Sequence, residues 1–363
     1  MLKLILRKII YGLLVIAGVI CVVFFLFNIL PGDPARMMLG QRADISSVDA
    51  INRELGRDLP LFTQFRYYVN DLSPVSVYNV KDISSRNYFD KEKYGSSKIL
   101  IPFANEALLI KKPYLRRSYQ TQQRVTEILL DALPGTAILA FVSLAFAAIV
   151  GIALGVWSAL KYRTFSDQLN MFISVLGMSV PSFFAGILIA WIFGFVWSDV
   201  TGLNMTGSLY EIDPFKGEIL TLKNLILPAF TLGIRPLAVI VQLTRSSMLE
   251  VLSLDYVRTA KAKGLSDYKV IVNHALRNAL NPVLTAISGW LGSLLAGAVF
   301  IEYIFGWKGV GKVTVDALEH YDFPVVMGAV LMVSVFFVII NVLVDLLYAR
   351  LDPRVRVDRK SVV

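Results

Sequence analysis

Residues 9–30, IIYGLLVIAGVICVVFFLFNIL, form an uncharged stretch of 22 residues, and no other feature constrains the fold of this chain more. A helix rising 1.5 Å per residue needs about 20 apolar residues to cross the hydrocarbon of a bilayer. Lys3, Arg7 and Lys8 precede the run, as they would in a cleavable signal peptide. The run is longer than the roughly 7–15 residues of a signal core, however. Leu30-Pro31-Gly32-Asp33 is also a poor small-x-small cleavage site, so a retained helix is expected.

Five further runs follow at about 131–160, 169–197, 225–249, 282–304 and 325–348. Gly135, Gly151 and Gly155 offer close helix approach in the first of these, and Pro181 is expected to kink the second rather than end it. The 225–249 run carries Arg235 and Arg245, and 325–348 stays aliphatic until Asp345. Hydrophobic residues make up 56% of the chain and charged ones 17%, with a mean hydropathy of +0.62. A soluble domain carries about 25% charged residues, and its helices keep a polar stripe that several of these runs lack. The expected fold class is an all-α membrane protein with six transmembrane helices. Residues 1–30 hold the N-terminus and first helix, 31–130 form a large segment on the far side, 131–348 form the helical core, and 349–363 form a tail.

An even number of spans places both ends in one compartment. With the N-terminus inside, the short inner segments 1–8, 161–168, 250–281 and 349–363 hold 15 Lys/Arg against 6 Asp/Glu. The short outer segments 198–224 and 305–324 hold 4 bases and 7 acids. That bias assigns the basic segments to the cytoplasm, and a stretch as long as 31–130 translocates regardless of its charge.

Within 31–130, LPGDPARMMLG at 30–40 reads as a rigid turn followed by a short helix. Residues 48–72 read as an amphipathic beginning, a break near Pro60 and an aromatic helix. Residues 73–112 show no clear period, which leaves a β-containing or an irregular lobe open. TQQRVTEILLDALPG at 121–135 reads as an interfacial helix running into the second span. The segment either faces a soluble partner or covers the mouth of the bundle.

Cys21 is the only cysteine, which excludes an intramolecular disulfide and any multi-cysteine metal site. His274 and His320 fall in different expected compartments, so they do not share a metal. There is no GxxxxGK[ST] loop, so any nucleotide hydrolysis belongs to a partner. No nucleophile–base pattern stands out, and no basic domain separates from the apolar runs to suggest nucleic acid. No catalytic, metal or cofactor residue is assigned.

The stretch SLDYVRTAKAKGLSDYKVIVNHALRNALNP, residues 253–282, carries the mechanism. YVRTAKAK favours a helix, Gly264 sits where a C′ glycine would end it, and Ser266 is placed to cap the next. Two short helices at an angle are expected, with Arg258, Lys261, Lys263, Lys269 and Arg277 on them. Pro282 would then open the fifth span. Such a helix across the bundle base would let a partner grip it and move two spans; the alternative is a basic loop that only fixes topology.

These residues resemble the B-type permease subunit of bacterial dipeptide/oligopeptide ABC importers, a family that also includes nickel permeases. DYVRTAKAKGLSDYKVIVNHALRNALNP is similar to the family's cytoplasmic "EAA" loop, with Arg258, Thr259, Ala260 and Gly264 at its Glu, Ala, Ala and Gly positions. LPGDPA at 30–35, RSYQTQQRVTEILLDALPGT at 117–136, LTRSSMLEVLSLDY at 243–256, VFIEYIFGWKGVG at 299–311, YDFPVV at 321–326 and LVDLLYARLDPRV at 343–355 also match. The match fails at about 75–112, which reads as an insertion. Lys308 and Arg235-Pro236 depart locally from the family pattern.

The resemblance implies a type I importer permease in the bacterial inner membrane, paired with a second permease of the C type. Two cytosolic ATPases would bind ATP and Mg, and a periplasmic or lipid-anchored binding protein would deliver substrate. Tyr256, Arg258, Thr259, Ala260, Lys261, Ala262, Lys263, Gly264, Leu265 and Ser266 would form the coupling helix and its end. Ala260 and Ala262 would pack into the ATPase groove, and Lys261 and Lys263 would meet acids at its rim.

Ser174, Ser179, Ser182, Thr285, Ser288 and Ser293 are polar groups among small ones and so candidates for a translocation path, although such hydroxyls more often pack helices. Arg235 either lines that path or snorkels to the outer surface. Glu302 and Asp345 stand at span ends and have the same snorkelling explanation, with pairing to a base of the outer segment as the alternative for Glu302. The transported substrate is expected to be a di- or oligopeptide moved by alternating access. Alternatives are a nickel permease of the same architecture, an ion-driven carrier working alone, which would need an internal repeat and buried ionisable pairs, and a structural subunit without transport.

Overall fold

The computed structural model describes residues 2–29, 48, 52–53, 56–83 and 85–351. The turn and short helix expected at 30–40, and the tail beyond 351, lie outside the described residues. Two compact units divide the chain, one made of 2–131 with 313–334, the other of 132–312 with the residues from 335 on.

The first unit begins with α1 (Leu2–Ile29). Near its C-terminal end Phe24 meets Phe65 and Tyr68 of α2 (Leu61–Leu72), with ring centroids 5.1 and 5.4 Å apart. Pro60 stands at the N-cap of α2, as the sequence break there implies. The undecided stretch after it is a β lobe. Strands β1 (Val75–Asn79), β2 (Ser97–Pro102) and β3 (Glu106–Lys111) form an antiparallel sheet in the order β1-β3-β2, and helix α3 (Lys91–Tyr94) lies between β1 and β2 in sequence.

Alternation along β1 and β3 turns Tyr78, Ala107 and Leu109 into a small core with Phe89 and Tyr94. Asp71 is buried beneath it. Its carboxylate accepts from the phenols of Tyr94 (2.9 Å) and Tyr78 (3.3 Å), and its carbonyl accepts from the Lys111 ammonium (2.5 Å). Burial without such partners would cost several kcal/mol, so the network holds the lobe together.

The second unit takes α4 (Val125–Leu160) from residue 132 on, followed by α5 (Phe165–Ser179) and α6 (Ser182–Trp191), the latter prolonged by a π-helical turn over Ile192–Val196. After a short helix α7 (Ser198–Thr201) comes the hairpin β4 (Tyr210–Asp213) and β5 (Gly217–Leu220), then α8 (Lys223–Leu252) and α9 (Asp255–Ala262). Helix α10 starts at Asp267–Lys269, passes through a π-helical segment Val270–Leu276, and continues over Arg277–Gly297. Helices α11 (Val299–Ile304), α12 (Val310–Glu319) and α13 (Phe323–Leu351) complete the order, and residues 313–334 of the last two belong to the first unit. Gly151 and Gly155 of α4 lie against α8 as expected. A Cβ on Gly155 would stand 2.5 Å from Thr244 Cβ, so only hydrogen fits there.

Four helical stretches among the described residues are long and apolar enough to cross a membrane: Leu6–Asn28, Val125–Leu160, Lys223–Leu252 and Phe323–Val344. A fifth is added if α5 and α6 count as one span. The chain is therefore a multi-span helical membrane protein, without six clear spans. The shortfall lies at 282–304, where Thr285, Ser288, Ser293 and several glycines dilute the apolar character.

Pro181 does more than kink its run. It caps the N-terminus of α6, and α5 and α6 diverge by 108° at the break. Proline lacks an N–H and disfavours helical backbone in the residue before it, and Val180 is accordingly extended. Pro282, expected at the opening of a span, lies inside α10, because the helix begins fifteen residues earlier at Asp267.

Candidate functional site

Helix α9 lies between the ends of α8 and α10 in sequence and holds most of the expected coupling residues. Its C-terminus follows from sequence. Gly264 has φ +76°, the left-handed conformation that a C′ glycine adopts without strain. Its N–H donates to Lys261 O (3.0 Å), and that of Leu265 donates to Ala260 O (3.4 Å). These are the two bonds of a Schellman motif, and they satisfy carbonyls that the helix end would otherwise leave open. No other atom lies within 4 Å of a Cβ built on Gly264, so backbone conformation alone demands glycine there.

The helix has two faces. Val257 and Ala260 are buried with Ala159, Met248, Val270, Ala275 and Ala279, a cluster joining α4, α8, α9 and α10. Ala260 thus packs against its own chain, which corrects its expected place in a partner's groove; the small side chain serves an internal close approach. Tyr256, Arg258, Thr259, Lys261, Ala262, Lys263, Leu265 and Ser266 are exposed. The Arg258–Asp255 ion pair (3.6 Å) is open to solvent and adds little stability, so the outer face presents largely uncompensated positive charge.

A second tie holds α9 to α10. The Tyr256 hydroxyl donates to His274 O (3.2 Å) and accepts from Asn278 Nδ2 (2.7 Å). His274 lies in the π-helical segment, where a widened turn offers carbonyls to outside donors. Ser266 stands at the N-cap of α10, but its side chain makes no capping bond. The second short helix expected in this loop is instead the start of α10 itself, so displacement of α9 meets a continuous helical rod.

Near the same end of α8, Arg245 forms a bidentate ion pair with Asp167 in the first turn of α5. Nε lies 2.6 Å from Oδ1 and Nη2 lies 2.7 Å from Oδ2. The Arg163 N–H also donates to Asp167, and the Arg245 guanidinium lies over the Tyr162 ring. In the sequence Arg245 stands out only as a charge within the 225–249 run. Its signal was available: a charge inside a span calls for a partner, and Asp167 is the lone acid of the basic segment 161–168.

The path candidates are dispersed. Ser174 is buried, and its hydroxyl donates to Asn170 O; Ser179, Thr285 and Ser288 likewise bond the carbonyl four residues back. Those bonds meet the donor need of each hydroxyl within its own helix. Ser182 is half-buried at the start of α6, and Ser293 is exposed on α10. Arg235 is exposed twelve residues into α8, roughly 18 Å along the helix from Lys223. That depth weakens the snorkelling reading, which required the helix to start later. The Glu302 carboxylate accepts from the backbone N–H groups of Gly311 (2.7 Å) and Lys312 (3.2 Å), so it is buried as a cap on the first turn of α12 and does not snorkel at a span end.

The model of binding-protein-dependent transport system inner membrane components matches residues 151–357, and the model of the N-terminal part of that family matches residues 1–86. The chain is 36% identical to the di/tripeptide transport system permease protein DppB of Pseudomonas aeruginosa, over 94% of this chain and 95% of that one. It is 33% identical to the dipeptide transport system permease protein DppB of Alkalihalophilus pseudofirmus, over 96% and 98%, and 31% identical to the glutathione transport system permease protein GsiC of Escherichia coli, over 95% and 96%. A solved structure of the MetNI methionine ABC transporter in inward-facing conformations aligns with a TM-score of 0.50 at 14% identity, covering 62% of this chain and 97% of that one; the likeness extends to the fold alone. The chain belongs to the binding-protein-dependent transport system inner membrane components, among the permeases of bacterial peptide ABC importers, and its role is transport rather than catalysis.

Proposed function

We propose that this chain moves di- or oligopeptides from periplasm to cytoplasm by alternating access, as one of two permeases driven by two cytosolic ATPases and supplied by a binding protein. In this reading six spans cross the membrane: α1, α4, the α5–α6 pair, α8, α10 with α11, and α13. Both termini lie in the cytoplasm, in keeping with the basic inner segments. ATP and Mg are bound by the partners.

The observation that carries the mechanism is the two-sided construction of α9. Its inner face is locked to α4, α8 and α10 by the Val257–Ala260 cluster and by Tyr256, while its outer face is basic and exposed. When ATP closes the ATPases, their displacement passes through α9 into α8 and α10, whose hydrogen-bond ladders resist bending. Arg235, Ser182 and Ser293 remain the path candidates with exposed or half-exposed side chains that are not tied to a carbonyl four residues back.

Co-expression with the partner subunits, purification and reconstitution in vesicles test the reading. Dipeptides are expected to stimulate ATP hydrolysis and to accumulate inside the vesicles, whereas nickel alone is expected to do neither. A complex that responds to nickel and not to peptides overturns the substrate assignment.

A further inference from the structure

Lys161, Tyr162, Arg163 and Thr164 join the end of α4 to the start of α5 in a tight turn. The Thr164 N–H and hydroxyl both donate to Lys161 O, at 3.0 and 2.6 Å. The Arg163 N–H donates to Asp167 (3.0 Å). These bonds hold Arg163 at φ +64°, a left-handed conformation that glycine or asparagine adopts more readily. Strain of this kind persists where the surroundings over-determine it, and it directs attention to what the arginine side chain does there.

Cations and aromatic rings alternate on the turn. The Arg163 guanidinium lies over the Tyr162 ring at 5.1 Å, and the Lys161 ammonium lies 6.0 Å from the Trp157 ring, one helical turn back on α4. Tyr162 is held from its other neighbour too, since the Arg245 guanidinium lies 5.3 Å from the same ring. Arg245 is committed to Asp167 through both carboxylate oxygens. Lys161 and Arg163 are exposed, and among the described residues neither side chain meets a carboxylate.

The place of the turn selects its ligand. The apolar stretch of α4 ends at Leu160, so the turn lies where hydrocarbon gives way to head groups. Along α4 the exposed residues Phe141, Ile149, Trp157 and Leu160 form an apolar track that runs up to it, and Phe165 and Phe172 are exposed on α5 beyond it. Exposed tryptophan and tyrosine beside lysine and arginine match the composition of a membrane–water boundary. A soluble partner would satisfy the two cations and leave the track bare. A phospholipid satisfies both, its phosphate accepting from the ammonium and the guanidinium and its acyl chains following the track. We propose that the 161–164 turn, with Trp157, binds the phosphate head group of an anionic phospholipid. The leaflet is the inner one if the orientation proposed above holds; the binding itself does not depend on the transport reading.

The full-length permease, purified in detergent, tests this by native mass spectrometry and titration with phosphatidylglycerol, phosphatidylcholine and inorganic phosphate. Phosphatidylglycerol is expected to remain bound in preference to phosphatidylcholine. K161Q and R163N each remove one charge and are expected to weaken phosphatidylglycerol about fivefold, and together about 25-fold. R163N also relieves the backbone, so its melting midpoint without lipid should equal or exceed that of wild type while its lipid affinity falls. An arginine with a merely structural role would lose stability along with the lipid. Equal binding of both lipids, undiminished phosphatidylglycerol in K161Q and R163N, or saturation by inorganic phosphate as readily as by lipid would each overturn the proposal. So would release of the lipid when the second permease or the ATPases assemble, which would mark the turn as a subunit contact. None of these outcomes bears on peptide uptake, so the two readings fail separately.

Discussion

Arg245 of α8 grips Asp167 of α5 through two parallel N–H···O bonds of 2.6 and 2.7 Å, with the Asp167 side chain only 2% exposed. The pair fastens the beginning of α5 to α8, whose C-terminal end is joined to α9 by the alanine and valine cluster.

Breaking that pair leaves one charge buried without its partner. Asp167→Asn or Arg245→Gln is expected to destabilise the fold by about 3 kcal/mol. The measurement is the unfolding midpoint in detergent, and the swapped double variant D167R/R245D should recover part of the loss. Single variants as stable as wild type would show the pair to be ornamental.

Gly264 is required for its backbone and not for space. Gly264→Val is expected to cost about 1–2 kcal/mol at that residue and to leave ATP hydrolysis running with little peptide uptake, while membrane insertion stays normal. Gly264→Asn should retain most coupling, since asparagine enters the left-handed region more readily. Equal coupling in both variants would remove the helix-end assignment.

Tyr256→Phe deletes the hydroxyl that links α9 to His274 O and Asn278 while keeping the ring. A stability loss of about 1 kcal/mol is expected, together with a lower ratio of peptide transported to ATP hydrolysed. An unchanged ratio would mean that the alanine and valine cluster suffices for the linkage.

The β lobe should respond to alkaline pH in two opposed ways. Burial brings the Lys111 ammonium down to about 8 from its ordinary value of 10.5. Below pH 8 folded and unfolded chains both hold that proton. Between 8 and roughly 10.5 only the unfolded chain does, so stability rises with pH. Burial, and then the Asp71 charge, push the Tyr78 and Tyr94 phenols up. Above about pH 10 the unfolded chain loses those protons first, and stability falls. Lys111→Met should remove the rise and leave the fall. Melting midpoints of both proteins between pH 7 and 11 check this, and parallel curves would contradict it.

The parts legible in the sequence were those dictated by one-dimensional chemistry. Lipid demands long apolar runs, and α1, α4, α8 and α13 follow them closely. Gly264 ends α9 because its left-handed backbone suits glycine and strains branched or bulky residues. The features missed depend on pairings distant in sequence. The β lobe hides because Ser76 and Lys111 take inward positions, blurring the alternation of β1 and β3, and because Lys111 is satisfied by Asp71, forty residues away. The 108° break at Pro181 reads as a kink in a string of apolar letters, since hydropathy does not register direction. Ala260 looked like a contact for a partner because its small size is equally suited to packing against Met248 and Ala275 of its own chain.

Labelling of a single engineered cysteine tests the coupling role most directly. In a Cys21→Ser background, Lys261→Cys on the exposed face of α9 should react with a membrane-impermeant maleimide in inside-out vesicles and not in intact spheroplasts. Co-assembly with the ATPases should then shield it and allow its crosslinking to them. Reaction in intact spheroplasts, or undiminished labelling once the ATPases are bound, would place α9 away from the motor and end its assignment as the coupling helix.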